Sequence, residues 1–438
     1  MMELSPLLIG IIGLAILLIF ICSGIPIAYV FGLIGFVGLA ILVGTKPAIS
    51  LMGTVTYSQV ANYTWTMLPL FILMGGFAAD SGMTADAFAA ARMWLGRFPG
   101  GLAIAVVVAS TIFGAVSGSG IATTVTMTKV AWPEMKRYNY APSLALGCCI
   151  TGGCIDNLIP PSIILVMYAM IADESIGALF MGAIFPGLLA GGLMILSIIT
   201  ICVIKPSMAP AGPPSTWKEK FRSLTGVWAI LILIVFVLGG IWLGVNTPNE
   251  AAGVGAAGAF VIGISRGTLK WKQTWQSLMD VAIMTGAIFV LFVGVQVFNS
   301  FISITNMPQE LAEWVTTLKV PPNGVLGIIL LIYFILGIPL ELAPLLMLTL
   351  PIFVPLVEAC GISKVLFGIA TTVVVGIATI TPPVGTPMFI AHNMVKKDGI
   401  ALNTIFKGCW IFCIPLVIAL ILIVFFPQIA LWLPSTMR

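Results

Sequence analysis

Residues 157–162 read NLIPPS, and residues 379–385 read TITPPVG. Their proline pairs, Pro160-Pro161 and Pro382-Pro383, stand 222 positions apart, 160 against 382. The same offset carries Pro26 in GIPIA onto Pro248 in NTPNEAA, and Pro99 onto Pro321, each before a glycine-containing apolar run. Proline lacks the amide proton a helix interior needs, and its ring collides with the preceding turn. Three such helix-shaping positions in one register point to an internal repeat. The halves are 1–204 and 226–438. A polar segment, Lys205–Thr225, joins them and carries Pro206, Pro210, Pro213 and Pro214.

Composition fixes the setting. The chain has 438 residues, 60% of them apolar and only 8% charged, with a mean hydropathy of +1.16. A soluble domain carries about 25% charged residues. About 20 helical residues cross roughly 30 Å of hydrocarbon, and apolar runs of that order fill the chain. The expected fold is an all-α polytopic membrane protein, since lipid excludes open sheets and the alternation of a β-barrel is absent. The net charge of +4 is scattered over short loops, so no basic patch suits nucleic acid. No Gly-Lys dipeptide occurs, which excludes a Walker A loop. Of eight cysteines, most lie inside apolar runs and none form a CxxC pair; they read as small buried residues. The first apolar segment lacks a basic flank before it and reads as a retained helix.

Each half has the same expected plan. Two spans come first (6–22 and 26–44; 226–244 and 249–265). After a semi-polar stretch comes a third span (67–82; 281–300), then an amphipathic segment (84–98; 306–319). Two apolar arms then meet at a break, at Ser117–Gly120 in the first half and within LGIPLELAP, 336–344, in the second. The arms are too short to cross comfortably and read as re-entrant hairpins. A helix broken at its Pro-Pro and a final span close each half. With hairpins counted as zero, each half crosses an odd number of times, so the halves are inverted. Charge supports this. With both termini outside, the inside segments hold Arg92, Arg97, Lys129, Lys136, Arg137, Lys205, Lys218, Lys220, Arg222, Arg266, Lys270, Lys272, Lys396, Lys397 and Lys407. The outside keeps only Lys46, Lys319, Lys364 and Arg438.

Four segments therefore bring irregular backbone to membrane depth: 114–124, 152–162, 336–344 and 377–387. Such backbone is tolerated only inside protein or beside a watery cavity. Free carbonyls and hydroxyls there suit Na+, and free N–H groups at helix starts suit an anion without any arginine. The candidate anion-binding set is Ser117, Gly118, Ser119, Asn157, Pro160, Pro161, Ser162, Glu341, Pro382, Pro383 and Thr386. The candidate Na+ set is Ser117, Ser119, Gly120, Thr123, Asp156, Gly337, Thr379, Thr381 and Gly385. Taken singly, each has a bland reading: a Gly-xxx-Gly packing stripe, hydroxyls bonded back to their helix, a proline kink. Four such segments, paired by the repeat, favour a site. Asp156 and Glu341 are intramembrane acids, costly unless functional. Asp156 reads as a cation ligand, a proton carrier or a helix cap. His392 reads as structural.

LPLFILMG (68–75), FPGGLA (98–103), FGAVSGSGIATT (113–124), LIPPSI (158–163), TPNEAA (247–252), LTLPIFVPLV (348–357) and TPPVG (381–385) together resemble the large membrane subunit of tripartite ATP-independent periplasmic (TRAP) transporters. The resemblance runs over nearly the whole chain. It implies an elevator-type fold with a scaffold and a moving transport domain in the bacterial inner membrane. It also implies a separate small four-helix membrane subunit, a periplasmic substrate-binding protein, and Na+-driven import of an organic anion (carboxylate, sugar acid or sulfonate). No cofactor beyond the coupling ion is implied. By the same analogy, Ser117–Thr124 and 379–385 frame cation sites. Two departures stand out. The family often has Gly near 156, where this chain has Asp156 and Asn157. It often has Asn and Glu shortly before TPPVG, where this chain has Val374 and Gly376. A polar pair lost from one half and one gained in the other read as a compensating swap. The rival readings are a stand-alone Na+-coupled divalent-anion carrier of related fold, a channel, and an intramembrane enzyme. One histidine and no His/Glu pair argue against the last.

Overall fold

The computed structural model describes residues 5–23, 25–212, 215–317 and 320–437. Pro213, Pro214, Lys319 and Arg438, used in the linker and charge readings, lie outside the described residues. Every regular element among them is helical. Local chemistry sets the helix starts. Ser5 accepts the Leu8 amide ahead of α1 (Pro6–Cys22), and Pro26 precedes α2 (Ile27–Val43). Two capping boxes open the second half. Thr216 and Glu219 start α11 (Trp217–Trp242), and Thr247 and Glu250 start α12 (Pro248–Ser265). In such a box each side chain satisfies an amide the first turn leaves free. Helix α11 thus begins inside the stretch read as linker.

The semi-polar stretches are helical as well. In the first half α3 (Thr45–Val60) and α4 (Met67–Asp80) meet at a 50° bend. Asn62 turns the chain there, its side chain accepting the Thr64 amide at 2.9 Å. Its counterpart 222 positions on is Met284, which offers no such bond. There one unbroken helix of 34 residues, α13 (Trp271–Ile304), replaces the bent pair. Among the described residues, five helices are long and apolar enough to cross a membrane by themselves: α10 (Ile176–Ile204), α11, α13, α16 (Leu342–Ala359) and α19 (Leu402–Phe425).

The hairpins and broken helices form the buried centre. Amphipathic α5 (Met83–Leu95) leads into the first hairpin, α6 (Gly101–Ser117) and α7 (Gly120–Arg137). The first broken helix is α8 (Pro142–Asp156) with α9 (Ile163–Ala172). In the second half α14 (Met307–Thr317) precedes hairpin α15 (Pro322–Gly337) with α16, and the broken helix is α17 (Lys364–Thr379) with α18 (Thr386–Val395). Helices α8 and α17 are buried from Leu144 to Asp156 and from Val365 to Ala378. In contrast, α1, α2, α11 and α13 expose apolar side chains such as Ile19, Tyr29, Val235 and Ile283, the surface a bilayer covers.

Glycines let backbones touch at the main seams. A Cβ on Gly294 of α13 would lie 2.2 Å from the Ala28 carbonyl of α2, and one on Gly408 of α19 would lie 2.0 Å from the Ser143 carbonyl of α8. Small residues are how membrane helices gain close packing without a hydrophobic driving force.

The hairpin mouths lie at opposite ends of α10. At its C-terminal end, the Gly100 and Ala141 amides flanking the first hairpin donate to the Ala209 and Met208 carbonyls at 3.0 and 2.9 Å. At its N-terminal end, Lys364, just after the second hairpin, donates to the Ala172 and Asp173 carbonyls at 3.2 Å. Helix α10 has 29 residues, which spans about 43 Å at 1.5 Å per residue. The two hairpin mouths are therefore separated along the length of α10.

Candidate functional site

Four helices end and four begin around one cavity of about 240 Å³. Helices α6, α8, α15 and α17 bring C-terminal ends to it. Helices α7, α9, α16 and α18 start there with Gly120, Ile163, Leu342 and Thr386, all lining it. A helix start presents free amides and a positive dipole end; a helix end presents free carbonyls. Four starts converging on one space favour an anion, although among the described residues no lysine, arginine or histidine lines it. The carbonyl ends and hydroxyls supply hard oxygens for a cation.

Of the sequence-derived candidates, Gly118, Ser119, Gly120, Asn157, Gly337, Glu341, Thr379, Gly385 and Thr386 line the cavity. Gly118 takes a left-handed φ of 60°, and a Cβ there would stand 2.5 Å from the Pro161 carbonyl. This close approach seats the first tip on the first break. The Ile163 amide donates to the Gly118 carbonyl at 3.3 Å, and the Gly120 amide to Asn157 Oδ1 at 3.3 Å. Across the cavity Glu341 is open to solvent space and accepts from Thr386 Oγ1 at 3.4 Å.

Other candidates sit behind the lining. Ser117, Thr123 and Asp156 are buried and bonded to one another. The Ser117 hydroxyl donates to Asp156 Oδ2 at 2.8 Å, the Thr123 hydroxyl donates to the same oxygen, and the two hydroxyls are 3.2 Å apart. Asp156 Oδ1 is buried with no hydrogen-bond partner among the described residues. Ser162 caps α9, accepting the Leu165 amide at 3.4 Å while donating to the Asn157 carbonyl at 2.7 Å. Thr379 and Thr381 donate to the Gly376 and Ile377 carbonyls, each at 2.8 Å. Pro160, Pro161, Pro382 and Pro383 shape the breaks without lining the cavity, and both Pro-Pro bonds are cis. His392 is half-buried on α18, away from the lining. Sequence reasoning missed the apolar wall, Ile121, Ile150, Met167, Met284 and Ile288 among it. In helices apolar on every side, periodicity does not say which face looks inward. Where the breaks meet, the Cys154 thiol donates to the Gly376 carbonyl at 3.3 Å, across a separation of 222 residues.

Residues 14–429 match the family described as "Tripartite ATP-independent periplasmic transporter, DctM component". The chain belongs to that family. This DctM-family protein is thus the large subunit of a tripartite transporter, a multi-pass membrane protein and a transport subunit rather than an enzyme. It is 31% identical to the C4-dicarboxylate TRAP transporter large permease DctM of Pseudomonas aeruginosa, over 91% of this chain and 92% of the relative. It is 31% identical to the sialic acid TRAP transporter large permease SiaM of Vibrio cholerae, over 94% and 95%. The ectoine TRAP transporter large permease TeaC of Halomonas elongata is also 31% identical, over 84% and 85%. The crystal structure of the YdaH transporter of Alcanivorax borkumensis shares the fold. Its TM-score is 0.64 at 14% identity, covering 96% of this chain and 98% of that one.

Proposed function

We propose that this DctM-family protein is the membrane-spanning transport subunit of a Na+-coupled, binding-protein-dependent importer of an organic anion. The carrying observation is the convergence of both hairpin tips and both Pro-Pro breaks on one cavity. Four helix starts offer an anion its hydrogen bonds, while the carbonyl ends and Glu341 offer oxygens to a cation that neutralises the pair. The halves act as inverted repeats. The hairpins and broken helices form the domain that carries the cavity, and α1, α2, α11, α12 and α13 form the scaffold it moves against in an elevator cycle. The protein sits in the bacterial inner membrane with both termini periplasmic. It works with a small four-helix membrane subunit, and a periplasmic binding protein delivers a carboxylate, sugar acid or sulfonate.

The test is uptake into ATP-free proteoliposomes holding the complex, with the binding protein outside. Uptake under an inward Na+ gradient, lost in choline and lost without the binding protein, is the expected result. Equal uptake in choline would remove the Na+ coupling. Uptake without the binding protein would favour a stand-alone carrier.

A further inference from the structure

We propose that the first hairpin tip is held in place by Asp156 itself, as a tethered lock in place of a bound cation, and that the coupling cation binds at the second tip alone. This rests on the Na+-coupled reading and narrows it.

Ser117 is the last residue of α6 and Thr123 lies in the opening turns of α7, so the pair flanks the tip. Both hydroxyls point their protons at one carboxylate oxygen at the end of α8. Ser117 Oγ also accepts the Ser119 amide at 3.2 Å. The hydroxyls are thus spent on neighbours. None of the three residues lines the cavity. The other carboxylate oxygen, Oδ1, faces Gly114, where a Cβ would sit only 2.6 Å away. A hard cation of Ca2+ size needs several oxygens at about 2.3–2.6 Å around it, and here Oδ2 and both hydroxyls are already committed to one another. Polarity agrees. Asp156 lies against the opening turns of α7, the positive end of that helix, which favours a carboxylate and disfavours a cation. Two further bonds, Ile163 to Gly118 and Gly120 to Asn157, close the same seam.

The second tip is built differently. Thr379 and Thr381 donate to carbonyls of their own helix end. Among the described residues, the tip's hydrogen bond to its break is the long one from Thr386 to Glu341 at 3.4 Å, while Gly337 packs against Ala378 without a polar tie. Glu341 opens into the cavity beside the carbonyl end of α15. A carboxylate that faces an anion-receiving space with one long hydrogen bond calls for a cation there. Asp156 is accordingly a positioning residue: it fixes the first tip, and the cation completes the second.

Two cysteine reporters on a background without native cysteines test this. Ile121→Cys reports the first tip and Val384→Cys the second break; both positions line the cavity, 43% and 40% exposed. Maleimide labelling of the purified full chain is followed across a Na+ titration at constant ionic strength. Na+ should slow labelling at 384 and leave 121 unchanged. Adding Asp156→Ala should speed labelling at 121 about tenfold, the opening expected when hydrogen bonds to a buried carboxylate are lost. Protection of 384 by Na+ should remain. Asp156→Asn, which keeps an acceptor oxygen, should restore slow labelling at 121. Protection of both reporters by Na+ would overturn the lock and keep Na+ coupling. Protection of neither would overturn both. A several-fold rise, in Asp156→Asn, of the Na+ concentration that half-protects 384 would make Asp156 a cation ligand and end the proposal.

Discussion

Gly114 allows Asp156 to sit where it does. A Cβ at 114 would come within 2.6 Å of Asp156 Oδ1 and 3.0 Å of its Cα, and neither atom is the end of a long flexible chain. Gly114→Ala should therefore lower the unfolding midpoint in detergent, by overpacking that costs about 1–3 kcal/mol. Gly192 on α10 has nothing within 4 Å of its Cβ position; Gly192→Ala should leave the midpoint unchanged or raise it, because alanine suits a helix better. At the linker end, Asp398 accepts from Lys136 Nζ at 2.6 Å and Trp132 Nε1 at 2.7 Å. Led by the Lys136 hydrogen bond, these partners hold its carboxyl below the usual range. A depressed folded value means that the stabilisation is full above the unfolded value of about 3.9 and is lost as pH falls through the folded value. Asp398→Asn should thus flatten the acid limb of a plot of unfolding midpoint against pH, and leave the slope above pH 5 unaltered. The residue scale also shows what a sequence withholds. Ser117, Thr123 and Asp156 each stood out as oxygen donors in an apolar chain. That they are one another's partners depends on α6, α7 and α8 packing together, which no spacing encodes.

At the scale of elements, breaks were legible where proline or glycine forced them. The ends of α8 and α17 and the starts of α9 and α18 lie where NLIPPS and TITPPVG placed them. The α3–α4 bend was not legible. It hangs on one Asn62 side chain competing with the helix for an amide, and Met284 at the matching place lets α13 run straight. The second hairpin has its own internal tie. The Tyr333 hydroxyl on α15 lies 2.6 Å from that of Thr349 on α16, in a fully buried setting. Thr349 keeps a second bond, to the Leu345 carbonyl at 2.7 Å. Tyr333→Phe leaves no donor wholly stranded, and its cost should stay near 1 kcal/mol. Thermal unfolding of the variant checks this. A loss of several kcal/mol would mean that the arms depend on that hydroxyl for more than one bond.

For the whole molecule, Cys154 and Gly376, 222 positions apart in the chain, meet at the centre in one hydrogen bond. The hairpin mouths stand at opposite ends of α10, and the tips meet at one cavity. Much of this could be read ahead because helix breaks in a membrane chain are chemically expensive and therefore conspicuous. The apolar cavity wall could not, since lipid-facing and cavity-facing residues draw on the same side chains. In the proposed arrangement, inverted halves present their hairpins from opposite sides of the membrane to one shared site. Side-specific labelling of two single cysteines tests it most directly, one at Arg137, exposed at the end of the first hairpin, and one at Ala359, exposed at the end of the second. In sealed right-side-out vesicles, a membrane-impermeant maleimide should label Ala359→Cys at once and reach Arg137→Cys only after the membrane is opened. Labelling of both from the same side would contradict the account.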